Sequence, residues 1–324
     1  MFSKIPSPEE FQDKVVLKQA SGSANQSNPD VTVVTVCFNP LKDGRKELFR
    51  KNLDSVQEQV GVTVEHLIID GASTDGTLDF LASYNNHNQD IRILSQSDSG
   101  IYDAMNRGIA LSRGQYITFL NSDDYYHKND GLALSVKALQ ESGCSFSFAP
   151  ILPTGSPFLH RLHRNPQKHL HRILLFPTIP HQSMLYRRKT LVEFGGYDSS
   201  YRMGGDHDLT LRLLAAGHKG CFVDKAFVTF ASGGFSTQDP NLKLNEKKRR
   251  VKRFHQEVFG VDFTDEETET LVRHYRYPRK YLSIYVASQR MIDQMFVGIP
   301  QGLGQKIVHC FNYWKYYFKC LWSV

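Results

Sequence analysis

Residues 31–38 form an almost unbroken run of β-branched and apolar side chains, Val-Thr-Val-Val-Thr-Val-Cys-Phe, which stops at Asn39-Pro40. A run of this kind closed by a turn pair predicts a strand. Three shorter runs follow, at 65–70 (Glu-His-Leu-Ile-Ile-Asp), 91–94 and 115–120. The intervening stretches read as helices over 45–59, from about Thr77, and over 101–111, where Ile101, Met105 and Ile109 make one apolar stripe. Strands alternating with helices over about 90 residues predict βαβ units and a mainly parallel sheet. Ligands of such sheets lie beyond the strands' carboxyl ends. Asp70, Asp98 and Asp123 each follow a predicted strand, so all three are expected on that edge.

Past residue 145 the alternation fades. Residues 153–180 are basic, His-rich and interrupted by prolines, as in a long loop or a substrate-facing insertion. A short helix is expected over 209–216, stopped by Gly217. From about 240 the chain reads as helical and basic. Residues 1–30 are polar, and Ser21-Gly22-Ser23-Ala24-Asn25 reads as a flexible lead-in. The expected division is therefore a lead at 1–30, an α/β domain at 31–240 and a helical extension at 241–324. No internal repeat is visible.

Composition changes this picture little: 324 residues, 40% hydrophobic and 22% charged, describe a globular chain. The five cysteines are scattered without a CxxC spacing, which suggests neither a disulfide framework nor a zinc site. A reducing, cytoplasmic compartment fits, and no signal peptide or spanning segment is read. Charge adds more. The net charge of +6 is concentrated, with seven Lys/Arg against one Glu in 243–253, four Lys/Arg and four His in 160–172, and no acid after Asp293. Such clusters either face anionic lipid, phosphorylated acceptors or nucleic acid, or are solvated helix faces. No nucleic-acid-binding module accompanies them, so a nucleic-acid partner is not expected.

The candidate chemistry begins at Tyr116-Ile117-Thr118-Phe119-Leu120-Asn121-Ser122-Asp123-Asp124, an apolar strand running into paired carboxylates. Adjacent acids at a sheet's carboxyl edge suit a hard divalent cation, Mn²⁺ or Mg²⁺, shared with a diphosphate. The same residues also make an Asx-rich turn.

Taken with Val33-Val34-Thr35-Val36-Cys37-Phe38-Asn39 and Ile68-Ile69-Asp70-Gly71-Ala72-Ser73-Thr74-Asp75-Gly76-Thr77, this strand end resembles a family 2 inverting glycosyltransferase of GT-A fold. Two later segments agree: Asp98-Ser99-Gly100-Ile101-Tyr102-Asp103-Ala104-Met105-Asn106-Arg107-Gly108 and Gly205-Asp206-His207-Asp208-Leu209-Thr210-Leu211-Arg212. The resemblance covers roughly 31–236, and its variants look most like bacterial enzymes of colanic acid, capsule or O-antigen assembly. It implies a Rossmann-like, mainly parallel sheet flanked by helices, with a basic helical C-terminal extension.

The resemblance also implies roles. Asp70 matches the carboxylate that holds base or ribose, and Phe38 and Asn39 the strand end where the base packs. Asp98 and Gly100 match a loop near the nucleotide, though Asp98 would equally cap the following helix. Asn121 stands where the family commonly has Asp; with Ser122 it lies on the donor side, leaving Asp123, with Asp124, to hold Mn²⁺ or Mg²⁺. Asp206 matches the catalytic base, preceded by Gly205 where the family usually has Glu. His181, Gln182, His207, Asp208 and Arg212 match the acceptor side, with Asp208 and Arg212 at ion-pair spacing. Asp206 or Asp208 would otherwise cap the helix expected at Leu209. A further metal ligand, frequently His in the family, has no match in Phe230-Ala231-Ser232-Gly233-Gly234-Phe235-Ser236.

The implied reaction moves a sugar from a UDP- or GDP-sugar to a hydroxyl of a glycan or lipid-linked glycan. Near the C-terminus Ile307, Val308, Phe311, Trp314, Phe318 and Leu321 recur at helical spacing among lysines and tyrosines. That helix suits either the membrane interface or a packed seam, and it would place the protein peripherally at the inner face of the plasma membrane. Two alternatives stand beside the transferase: a binding module of the same fold with weak chemistry, and, on a poor match at 39–45, a sugar-nucleotidyltransferase. Donor sugar, linkage and oligomeric state are not legible.

Overall fold

The computed structural model describes residues 5–11, 15–18, 28–84, 91–154, 164–231, 239–274 and 277–299. The predicted run becomes β2 (Val31–Cys37), buried at all seven positions. Beside it lie β3 (Val64–Asp70), β4 (Ile91–Ser95) and β5 (Tyr116–Phe119), in the order β4-β3-β2-β5 and all parallel. The crossovers are α1 (Lys46–Gln57), α2 (Thr77–Tyr84) and α3 (Ile101–Leu111). Parallel strands joined by helices place their carboxyl ends on one edge, so Phe38, Gly71, Gln96 and Leu120 all start loops there.

The sheet is larger than the sequence suggests. Val15–Lys18 (β1), inside the stretch expected as a flexible lead, pairs antiparallel with β4. Past residue 145 the strands are too short to register as apolar runs. Phe146–Phe148 (β7), Leu185–Arg187 (β9) and Gly220–Phe222 (β10) extend the sheet beyond β5, with β9 antiparallel to both neighbours. Tyr125–Tyr126 (β6), Ile151–Pro153 (β8) and Val228–Phe230 (β11) make a separate small sheet. Helices α4 (Gly131–Ser142), α5 (Arg188–Phe194) and α6 (Gly205–Ala215) complete this half. The helix expected at 209–216 thus begins a full turn earlier, and Gly217, at φ +83°, ends it as expected.

Residues 240–297 form α7 (Pro240–Phe259), α8 (Asp265–His274), α9 (Leu282–Met295) and a last short strand, β12 (Phe296–Val297), parallel to β10. Phe254, Ile292 and Phe296 enter the same core as Phe119, Phe146 and Tyr186, so these elements are built onto the α/β layer. The basic run 243–253 is largely held within the fold. Lys248 pairs with Glu269, Arg253 with Asp208 and Asp198, and Lys252 with Asp262. Arg249 lies 3.6 Å over the Tyr201 ring, and Arg250 donates to the Met203 carbonyl. The remainder of the basic C-terminal stretch, including the helix expected over 307–321, lies outside the described residues.

One buried acid fastens the first half. Glu65 accepts from Thr32 Oγ1, Arg92 Nη1, and both the backbone N–H and the Nε of Arg113. Burial alone would raise its pKa, but these donors outweigh it and hold the carboxyl below its usual range. The clasp ties β2, β3, β4 and the chain entering β5 into one register.

Candidate active site

Three groups of side chains meet at the carboxyl edge. The first surrounds Gly71. Phe38, 66% exposed, stands at the end of β2. A Cβ on Gly71 would lie 2.9 Å from Asp98 Oδ2 and 3.4 Å from the Phe38 ring. The glycine thus leaves a floor between an aromatic face and a carboxylate. Burial raises the Asp98 pKa, with Asp103 and Asp70 adding to it, while the Gly100 N–H bond to Oδ1 opposes. Asp98 therefore both holds the entry to α3 and faces the Gly71 floor; Gly100 adopts φ +137°, which favours glycine.

Asp70 is fully buried beneath this floor. Its oxygens accept from the Ser73 N–H and Oγ, Ser95 Oγ and Cys37 Sγ. The carboxylate expected to hold base or ribose thus also fixes the 71–76 loop, and Asp75 caps α2 through Thr77. Asn39, at φ +49°, joins the same loop by accepting from the Thr74 N–H while its own N–H donates to Ser73 Oγ.

The second group is the turn Asn121-Ser122-Asp123-Asp124, closed by the Asp124 N–H on the Asn121 carbonyl. Asn52, on α1, donates to the carbonyls of both Asn121 and Asp124. The paired acids then part. Asp123 keeps its side chain 14% exposed at the sheet edge, and its Oδ2 is 2.8 Å from Arg45 Nη1. Asp124 is fully buried; it accepts from the Ala231 N–H and from Asn121, with Gln182 as a further partner. Burial, and then the neighbouring Asp123, push the Asp124 carboxyl well above its usual range. Asp124 thus braces the turn against Ala231 and Gln182, while its neighbour Asp123 pairs with Arg45. The Asn121 Oδ1 atom is buried without a hydrogen-bond partner.

The third group is the first turn of α6. Asp206 lies among Ile173, Pro177, Ile179, His181, His207 and Thr210 in a small pocket. Tyr102, from the first turn of α3, donates to Asp206 Oδ1 at 3.3 Å. Burial would raise the Asp206 pKa, but positive charge at His181, His207 and Arg250 outweighs it and holds the carboxyl below its usual range. Burial drives His181 and His207 toward their neutral forms, so at neutral pH the guanidinium of Arg250 carries that charge. His181 Nδ1 is buried and without a hydrogen-bond partner. Gly205, where the resemblance leads one to expect Glu, has a plain reason: a Cβ there would be 2.8 Å from the Tyr102 ring.

The remaining expected residues of this motif turn inward. His207 bonds the Ile173 carbonyl through Nε2. Asp208 is buried and paired with Arg212 at 2.8 Å, the i,i+4 pair expected, and also with Arg253. Arg212 donates onward to the Gly196 carbonyl. Asp208 and Arg212 thus face the interior, while His207, its Nε2 engaged by the Ile173 carbonyl, still lines the pocket beside Asp206. Because the helix starts at Gly205, neither acid serves as its N-cap.

The 3₁₀ turn His181–Ser183 joins the second and third groups, since Gln182 reaches Asp124 while its neighbour His181 faces Asp206. Sequence reasoning missed Tyr102 and Arg45. Tyr102 reads as one more residue of an amphipathic helix, and Arg45 as a loop cation. Their partners stand 104 and 78 positions away. Among the described residues no three His, Cys, Asp or Glu side chains gather into a metal-holding group. Phe230 and Ala231 are described, whereas 232–236 of the stretch searched for a late ligand lie outside the described residues.

The fold is that of solved GT-A enzymes. Staphylococcus aureus TarS 1-349, solved in complex with UDP-GlcNAc, superposes with a TM-score of 0.53 over 82% of this chain and 81% of that one, at 14% identity. The mannosyltransferase PcManGT of Pyrobaculum calidifontis, solved with GDP-Man and Mn²⁺, gives 0.55 over 91% and 84%, also at 14%. In sequence, a PGL/p-HBAD biosynthesis glycosyltransferase of Mycobacterium bovis is 32% identical over 179 residues, 55% of this chain and 65% of that protein. The putative teichuronic acid biosynthesis glycosyltransferase TuaG of Bacillus subtilis is 32% identical over 121 residues, 37% of this chain and 46% of its own length. The chain thus spans about two-thirds or less of the curated relatives it matches. Residues 32–195 match the model of glycosyl transferase family 2, half of this chain, and with the GT-A architecture around them the chain belongs to that family.

Proposed function

We propose that this protein transfers a sugar, with inversion, from a nucleoside-diphosphate donor to a hydroxyl, with Asp206 as the base. The observation that carries the reading is the His181–Ser183 turn, which connects the Asp123 strand end to the Asp206 pocket. The base ring would lie against Phe38 and over Gly71, with Asp98 Oδ2 accepting an N–H or ribose hydroxyl. The diphosphate would then extend towards Asp123.

In the reaction the acceptor oxygen attacks the anomeric carbon, opposite the leaving group. The bond from that carbon to the diphosphate oxygen breaks, and its electron pair leaves with the diphosphate. The acceptor proton passes to Asp206, whose carboxyl is held ionised at neutral pH. Tyr102 orients that carboxylate by donating to Oδ1, which leaves Oδ2 towards the pocket. The acceptor would approach Asp206 beside the half-buried Pro177.

A divalent cation fits at Asp123 in a limited way. Mg²⁺ and Mn²⁺ are often held by one or two carboxylates plus substrate phosphates and water, and Asp123 supplies one such oxygen ligand. Bound there, the cation would offset charge on the departing diphosphate. The binding-module reading draws on two departures from the family pattern, Asn121 and Gly205, and Gly205 has a packing reason. The names of the relatives, which concern PGL/p-HBAD and teichuronic acid biosynthesis, favour a surface-polysaccharide or lipid-linked acceptor. Peripheral contact with the cytoplasmic membrane face is part of the same proposal.

The test is nucleoside-diphosphate release from a panel of UDP- and GDP-sugars, with Mn²⁺ or Mg²⁺ and with EDTA, alongside calorimetric binding of UDP and GDP. Slow release from one donor supports the transferase. Tight binding with no release, even with glycan acceptors present, would favour the binding module.

A further inference from the structure

The acid Asp123, past the end of β5, already has a cationic partner. Arg45 sits between the 3₁₀ turn Lys42–Gly44 and α1, and its Nη1 is 2.8 Å from Asp123 Oδ2. The Arg45 side chain is 36% exposed and that of Asp123 14%. Burial raises the Asp123 pKa, and Arg45 is the main influence opposing it. The residues around that carboxylate are poor in further negative charge, because Asn121 replaces an acid and Asp124 is buried. We propose that Arg45 is a diphosphate-binding residue, a standing cation that leaves Asp123 for the phosphates of the donor.

Three physical points support the exchange. The exchange trades one anionic partner of the guanidinium for another, so neither Arg45 nor the incoming phosphate is left unpaired. A guanidinium presents a planar fork that matches two phosphate oxygens, and its charge is permanent at working pH. A diphosphate carries more charge than one carboxylate, so it competes well for the same fork. When the glycosidic bond to the diphosphate breaks, the leaving group gains one negative charge, and Arg45 offsets it without transferring a proton. Asp123, released by the swap, is then open to a divalent cation, which links the two positive groups to a single donor.

This inference rests on the donor-site reading above, and the experiment separates the two. UDP and GDP are titrated calorimetrically into wild type, Arg45→Ala and Arg45→Lys, in EDTA and in Mn²⁺, with uridine and guanosine as phosphate-free controls. The expected result in EDTA is measurable diphosphate binding by wild type, at least tenfold weaker in Arg45→Ala and intermediate in Arg45→Lys. Nucleoside binding should be equal in all three. With Mn²⁺ the loss in Arg45→Ala should shrink. Diphosphate binding in EDTA that stays within twofold of wild type in Arg45→Ala would overturn the inference and leave the donor site standing. Equal losses for nucleoside and diphosphate would also overturn it, since they mark a structural role. If wild type binds neither nucleotide with or without Mn²⁺, the donor-site reading falls, and this inference with it.

Discussion

Replacing Asp206 by Asn tests the base assignment most directly, because the structure separates its effects on folding and chemistry. The amide keeps the shape, and its oxygen still accepts from Tyr102. The deleted charge lies in the first turn of α6, where a carboxylate contributes about 0.3–1 kcal/mol through the helix dipole, so the melting temperature should drop by a few degrees at most. The donor residues Phe38, Gly71, Asp98 and Asp123 lie on other elements, so UDP or GDP affinity should be unchanged. Loss of a positioned base, in contrast, costs about 10²- to 10⁴-fold in rate, or roughly 3–5 kcal/mol at 1.36 kcal/mol per decade. The assay is nucleoside-diphosphate release from the active donor, run beside calorimetry on the same preparation. A variant that keeps nucleotide binding and releases product within threefold of wild type would remove Asp206 from the base role. The sign of the pH dependence follows from its lowered pKa: activity should hold through neutral pH and be lost only as pH falls below the ordinary carboxylate range.

Other consequences follow from individual residues. Phe38→Ala removes a ring already 66% exposed, so stability should barely move, while UDP or GDP binding weakens about tenfold, the lower end of aromatic–base stacking, as read by calorimetry. Gly205→Ala places a methyl 2.8 Å from the Tyr102 ring, and the overpacking should cost about 1–3 kcal/mol in denaturant unfolding, with slower turnover as the tyrosine shifts off Asp206. His255 is fully buried between the Val251 carbonyl and the Tyr277 hydroxyl, and burial lowers its pKa from 6.5 to about 4. The unfolded chain therefore binds a proton that the folded one refuses, and stability should fall as pH drops from 6.5 towards 4, by about 3 kcal/mol from this residue. His255→Gln should flatten that part of a plot of melting temperature against pH; an unchanged slope would refute the assignment.

Where neighbours in the chain decide conformation, the sequence alone was sufficient. Unbroken β-branched runs and turn pairs set β2, β3, β4 and β5 within a residue or two, and the Ile101, Met105, Ile109 stripe set α3. Strand polarity then carried Asp98 and Asp123 to one edge, as the βαβ pattern requires. The sequence could not say which way each side chain turns there. Asp70 and Asp124 look like ligands in the motif, yet the fold buries both and fills their oxygens with local donors. Asp208 and Arg212 fall inward and pair with each other, because only one side of α6 reaches the pocket. The short strands after residue 145 were hidden too, since three residues carry no periodicity and become strands only when a formed sheet offers them partners. The site was settled by contacts between residues far apart in sequence: Arg45 with Asp123, Tyr102 with Asp206, Gln182 with Asp124. Local propensity holds no information about such pairs, because they exist only after the sheet has closed its crossovers and brought the loops of one edge together.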